Sequence, residues 1–407
     1  MRGGLAYAQD KSTVTSAHRE ALLEDARAAW QYFEQPGRQI PGMVPANIWQ
    51  TSEDFKSFGS YRIATMWDVG SMILATISAR SLGLIDETSF NRRMEGLNRY
   101  LTQAAYKYRG ARLPNFRSDV DTIKSVEGGY DATDTARLFV ALHVADRLPD
   151  SPLNVRKLVE SWDLERTIKD GQISSIKKGA IEPAEFYIYR YYVSRAYSLW
   201  NVKHKPVTTI DPSSGAEARK AFLAELGGIG PISTEPSLSE TVEIGPSAYS
   251  TVIADVLGKA QQKRYEETSH LTCVTESPID QEPWFTYQGY DLKQEGEAAW
   301  TVYSWNSDKR WTVPSFASKF RMVSTKAAYL WYATHPSAYT EKLWQHVREK
   351  AKAPRYGFHP GVYETSGRTP GNIDVNTNAA ILEAVAFALK EHTTLLSQAS
   401  QQKPARG

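Results

Sequence analysis

Six apolar helical runs, each with a polar or glycine-containing start, recur near Thr65, Asp131, Glu185, Pro246, Ser324 and Asp374. The five steps between them average about 62 residues, the length of two helices and two connections. Between the apolar runs lie charged amphipathic segments at 16–34, 88–108, 154–168, 215–226 and 338–352. A helix that is apolar nearly all round is buried, whereas one with a charged stripe faces water. The alternation therefore predicts an inner layer of helices wrapped by an outer one, an all-α (α/α)6 toroid. Five outer helices are legible where six are required. The segment near 271–314, rich in Trp, Tyr, Thr and Val between turn residues, reads as a small β-rich or extended insertion.

Length allows either two domains or one large closed architecture, since 407 residues exceed the usual single core. The Pro/Gly punctuation at "QPGRQIPGMVP", "GGIGPIS" and "SGRTPGN" is too short to separate two cores. We expect one toroid over 16–392, a flexible leader over 1–15 and a disordered polar tail over 393–407. In the leader, Ala6-Tyr7-Ala8 before Gln9 has the small-x-small pattern of a signal-peptidase site, although no apolar stretch precedes it. That pattern predicts a periplasmic or secreted protein. No apolar run is long enough for a membrane span.

A net charge of +2 with interspersed signs argues against nucleic acid as the partner. The single cysteine, Cys273, excludes an internal disulfide, and the eight histidines form no HExxH or HxH pattern, so neither a metal nor a cofactor is expected. Small ligands and neutral polymers remain. The 46 aromatic residues, eleven of them Trp, exceed what a helical scaffold needs.

In such a toroid each inner helix returns through an antiparallel outer one, so all inner N-termini arrive at one end. Residues about 60 positions apart would then line one cavity, among them Asp68, Asp131, Asp134, Glu182, Glu185 and Asp374. Each aspartate also fits a helix cap or first turn, where a carboxylate accepts unpaired N–H groups. Company favours a site: Trp67 precedes Asp68, Tyr130 precedes Asp131, and "TESPIDQEPWFTY" sets Glu276, Asp280 and Glu282 among Trp284, Phe285 and Tyr287. Pyranose rings pack an apolar face on an aromatic plane and offer hydroxyls to Asp, Glu, Asn and Arg. Two carboxyl groups suffice to hydrolyse a glycosidic bond. Glu276 and Glu282 have apolar or proline neighbours that would raise a carboxyl pKa and suit an acid, whereas helix starts at Asp134 and Asp68 favour the ionised form and suit a base. The catalytic candidates are Glu276, Asp134, Asp68 and Asp280. Of Asp374, Asn376 and Asn378 not all can cap one helix, so at least one amide should face the cavity.

The stretches "TMWDVGSMILATISARSLGLID", "YDATDTARLFVALHV", "RAYSLW", "STKAAYLWYATHP" followed by "SAYTEKLW", and "GVYETSGRTPGNIDVNTNAAILEAV" carry a resemblance spanning nearly the whole chain. In order and spacing they resemble a bacterial domain-of-unknown-function family of (α/α)6 proteins, often encoded with exopolysaccharide or glucan machinery. That family is similar to the helical-toroid domains of endo-β-1,2-glucanases and cyclic glucan synthases. The resemblance implies roles for Trp67, Asp68, Asp134, Tyr192, Arg195, Thr275, Glu276, Asp280, Ser324 to Lys326, Glu364, Asn376 and Asn378. Taken with the residue reading, the expected sugar-binding set is Trp67, Tyr130, Asp131, Glu185, Tyr192, Arg195, Trp284, Tyr287, Lys326, Glu364, Asp374, Asn376 and Asn378. One departure is Arg190, which stands where many relatives have an acidic residue, with Glu185 further upstream. The expectation is a glycoside hydrolase or transglycosylase cutting a β-glucan or exopolysaccharide within the chain, with inversion. The alternatives are a noncatalytic polysaccharide-binding or scaffold component of export machinery, and a lyase using Tyr189, Arg190, Tyr192 and Arg195.

Overall fold

The computed structural model describes residues 15–35, 39–50, 58–184, 187–294, 296–304 and 314–401. Glu185 and nearly all of the expected leader lie outside them.

The helices are α1 (Ser16–Trp30), α2 (Met66–Ser81), α3 (Glu87–Gln103), α4 (Ala132–Ala145), α5 (Val155–Glu160), α6 (Arg190–Ser198) and α7 (Ala216–Ile229). They continue with α8 (Glu235–Ile244), α9 (Ala248–Thr268), α10 (Pro314–Phe320), α11 (Thr325–Thr334), α12 (Ala338–Lys350), α13 (Val375–Leu389) and α14 (Leu395–Gln401). Six of them close a ring: α2 packs on α4, α4 on α6, α6 on α8, α8 on α11, α11 on α13, and α13 on α2. Outside this ring, α1 lies on α13, α3 on α2, α5 on α4, α9 on α8 and α12 on α11. The division follows sequence chemistry. In α2 fourteen of sixteen residues are buried, whereas α3, with its charged stripe, buries seven of seventeen. Gly70 lets α2 approach closely, since a Cβ there would stand 2.9 Å from the backbone of Arg137 on α4.

Local capping chemistry sets four inner starts where the sequence places them. The hydroxyls of Thr65 and Ser324 and the carboxylates of Asp131 and Asp374 accept the first-turn N–H groups of α2, α11, α4 and α13. The inner helix expected from Pro246 requires correction. The chain from 248 is α9, an outer helix burying seven of twenty-one residues, and the inner member is the preceding α8, which buries nine of ten. α9 is the sixth outer helix missing from the sequence count.

Two further expectations change. The fold is not all-α: besides the expected strands of the insertion (Ser277–Pro278, Phe285–Tyr290 and Trp300–Tyr303, an antiparallel sheet), short antiparallel strands recur elsewhere, making seven small sheets among the described residues. Strands Ile63–Thr65, Gly129–Tyr130, Met322–Ser324 and Asn372–Asp374 lead directly into α2, α4, α11 and α13. The outer-to-inner connections are thus long and extended, and they pair with one another around the inner N-termini. Nor is the segment from 393 simply a tail, because Leu395–Gln401 forms α14. Leu395 and Ala399 are buried as α14 packs on α4, α8 and α13, closing the end of the ring opposite those strands. Apolar spacing within "LLSQAS" accounts for this where overall polarity misled. No described helix is long and apolar enough to cross a membrane.

Candidate active site

The acidic side chains at the inner N-termini sense one another around a single mouth. Lys326, in the first turn of α11, is buried and ion-paired with Glu235 at the start of α8. Burial works against its ammonium, but Glu235, Glu276 and Asp374 around it outweigh that and raise its pKa. Asp374 lies in turn beside Asp68, which accepts hydrogen bonds from the Thr65 N–H at 2.9 Å and the Asn376 amide at 2.9 Å. Asp68 lies beside Asp134. Tyr287, on the insertion sheet, lines a cleft with Glu276, and the charges of both Glu276 and Asp134 act on its hydroxyl.

Burial dominates the electrostatics of this cluster. It pushes the Glu276 carboxyl up to about 7, reinforced by Glu235 and opposed by Lys326 and the Tyr189 hydroxyl. It pushes Asp134 well above the ordinary carboxylate range, with Asp131 and Asp68 adding like-charge repulsion. Asp68 is raised by burial against its hydrogen bonds, and Asp374 by burial against Lys326. A helix start was expected to favour the ionised form of Asp134 and Asp68. Desolvation and neighbouring acids reverse that direction, because the favourable helix-end contribution of about 0.3–1 kcal/mol is smaller than the cost of packing several carboxyl groups together out of water.

Tyr187, Tyr189, Tyr287 and Tyr303 surround Glu276 in a small cleft, with Tyr287 and Tyr303 stacked at 5.4 Å. Trp67 is buried below and packs edge-on against Tyr189 at 5.4 Å and beside Tyr192 at 5.9 Å. Under it the ring is filled by a polar core. Arg137 of α4 pairs with Glu243 of α8 and Glu383 of α13, and the Tyr192 hydroxyl donates to Glu243 at 2.7 Å. The ring is therefore a cup with a floor. A separate hollow beside Asp146, Asn154 and Arg156 lies at the C-terminal end of α4, away from these acids.

The other sequence-selected residues fall elsewhere. Asp131 is the cap of α4, accepting from the N–H groups of Thr133 and Asp134 at 2.9 and 3.0 Å, while keeping its place beside Asp134. Tyr130 is buried against the Tyr197 hydroxyl. Arg195 pairs with Glu240 and donates to the carbonyls of Ile244 and Gly245, so it clasps the C-terminal end of α8, away from the mouth. Glu364 is held by Arg264 of the outer helix α9 at 2.8 Å. Asn378 staples the backbone of Phe358. Of the three polar groups at the start of α13, Asn376 is the amide that reaches the acidic cluster. Asp280 is exposed, accepting from the Gly371 N–H at 2.8 Å and the Tyr363 hydroxyl at 3.2 Å, and so fastens a rim loop. Trp284 stands exposed at that rim. Sequence reading missed Glu235, although Pro236 just inside a helix start was a usable signal.

A family model described as "Protein of unknown function (DUF3131)" matches residues 24–391. No curated protein matches the chain in sequence. Among solved structures, a candidate glucoamylase from Bacteroides caccae is similar at 14% identity and TM-score 0.62, covering 95% of this chain and 96% of that one. The endo-β-1,2-glucanase of Chitinophaga pinensis in complex with sophorotriose and glucose is similar at 12% identity and TM-score 0.59, over 95% and 96% of the two chains. An endo-β-1,2-glucanase mutant of Talaromyces funiculosus with β-1,2-glucan is similar at 10% identity and TM-score 0.56, over 94% and 85%. At these identities the likeness is one of fold.

Proposed function

The chain belongs to the DUF3131 family, and from that membership and its acidic mouth we propose that it is a glycoside hydrolase acting within a β-glucan chain, on an (α/α)6 toroid. One observation carries the reading: two carboxyl groups drawn from distant elements, Glu276 and Asp134, are both raised in pKa at one mouth, where the charges of both act on Tyr287. Glucanases among the structural neighbours support a glucan as substrate. In the proposed step Glu276, near its pKa at neutral pH, donates its proton to the glycosidic oxygen as the bond to the anomeric carbon breaks. Asp134 takes a proton from the water that attacks the opposite face. The repulsion from Asp131 and Asp68 that raises its pKa also makes its ionised form the stronger base. Lys326 with Glu235 keeps a fixed charge beside Glu276, and Asn376 holds Asp68 next to Asp134. A site assembled from different helices of a wide ring leaves room for that water, which favours inversion. The reading places the protein in the periplasm or outside the cell, where such polymers are exported.

The test is release of new reducing ends from a panel of glucans and exopolysaccharides, with the anomeric form of the product followed by NMR. We expect cleavage of a β-glucan that is lost in Glu276→Gln and Asp134→Asn while both variants keep the wild-type melting temperature within a few degrees. Cleavage undiminished in both variants, or no cleavage of any polymer, would remove the reading.

A further inference from the structure

Five large hydrophobic side chains are exposed among the described residues: Trp49 (40%), Tyr61 (44%), Val126 (55%), Tyr187 (52%) and Trp284 (62%). Scattered singly, such residues need no explanation. These are not scattered, for every one sits on a connection that leads to an inner N-terminus. Trp49 pairs with Asn372 in the strand entering α13, and Tyr61 lies just before the strand entering α2. Val126 lies just before the strand entering α4, Tyr187 is in the turn entering α6, and Trp284 is in the insertion hairpin beside Glu276. The exposed apolar surface is therefore an arc around the acidic mouth.

Three local features show that the arc is built. A Cβ on Gly59 would fall 2.4 Å from the Trp49 indole, so this ring lies flat on bare backbone and turns its other face outward. Tyr187 and Trp284 hold φ of +43° and +69°, a conformation unusual for bulky residues and one that presents them outward at some backbone cost. The Trp49 and Trp284 segments are joined across the rim: the Gly371 carbonyl accepts from Gln50, and the Gly371 N–H donates to Asp280.

We propose that this arc is the track for a neutral glucan chain several sugars longer than the part held at the carboxylates, with Trp49 and Trp284 as stacking platforms. The inference rests on the hydrolase reading for its choice of polymer. Flat aromatic faces suit the apolar faces of pyranose rings. Charge selects a neutral chain, because the mouth gathers carboxyl groups while Lys326 and Arg117 there are already paired with Glu235 and Glu127. A polyuronate would meet like charge.

Affinity electrophoresis in gels containing β-1,2-, β-1,3-, β-1,4- or β-1,6-glucan, or a polyuronate, tests the proposal on the full chain. We expect a neutral glucan to retard the wild type, and Trp49→Ala and Trp284→Ala each to weaken that binding about tenfold. Gly59→Val, which lifts the Trp49 ring, should mimic Trp49→Ala, and Arg156→Ala at the opposite end should change nothing. Unchanged polymer affinity in both tryptophan variants, or equal retardation by the polyuronate, overturns the track. Aromatic-dependent binding without any release of reducing ends leaves the track standing and removes the hydrolase reading. Cleavage lost in Glu276→Gln but indifferent to the rim does the reverse. Absence of all glucan binding removes both.

Discussion

Glu276 is a loop carboxyl whose chemistry is set by what surrounds it. Burial among tyrosines lifts it to about 7, so it still carries a proton where an exposed glutamate would not. As a proton donor it must be protonated, so kcat/KM should fall as pH rises through about 7, and it should fall on the acid side as well, where the raised Asp134 carboxyl, the base, takes up a proton. A rate profile on a cleaved glucan checks this; a profile flat to pH 9 would assign the acid to another group. Glu276→Gln should cost about 10²–10⁴ in kcat, the usual worth of a positioned acid. Its neighbours Pro278 and Trp284 hinted at an apolar setting in the sequence. Lys326 and Glu235, which modulate that setting, are 91 positions apart and could be paired only by folding.

At the scale of the element, α8 is the most informative helix. It is the one inner helix built on glutamates, and each has a partner from another segment: Glu235 has Lys326, Glu240 has Arg195, and Glu243 has Arg137. Removing one member of a buried pair strands the other, at a cost of about 3–5 kcal/mol. Arg137→Met should therefore destabilise the protein by about that amount, since it strands both Glu243 and Glu383. Chemical denaturation would measure it, and a second change of Glu243 to leucine should recover part of the loss. No recovery would mean that the packing of the Arg137 guanidinium on the Trp67 ring matters more than its pairing with Glu243. The capped helices α2, α4, α11 and α13 were legible because a cap involves residues only three apart. The α8 helix was not, because a buried glutamate and a solvated one look the same until the partner is known.

For the whole molecule, the folded state holds protons that the unfolded chain would release. Asp25, Asp68, Asp134, Glu276, Asp374 and Glu383 are all raised, each chiefly by burial. Raised carboxyl groups contribute stability that is present below their unfolded values and lost as pH climbs through their folded ones. These groups should pull the melting temperature down from pH 5 to pH 8, against the opposite pull of His143, His335, His346 and His359, which burial lowers, and their pull should be weaker in Glu383→Gln, whose carboxyl sits at about 7 in the fold. The same change of melting temperature with pH in the wild type and in Glu383→Gln would contradict the buried cluster. Ending the chain at Thr394 should lower stability by about 3 kcal/mol, since α14 buries Leu395 and Ala399 where it closes the far end. The order of helices, their alternation between buried and wetted faces, and the caps that start four inner members were determined by the sequence alone, because periodicity and capping act over a few residues. Which acids lie inside, which tyrosines surround them and which aromatics stay outside were decided only by the tertiary structure. Burial and charge pairing join residues tens to hundreds of positions apart, and no local pattern encodes that distance.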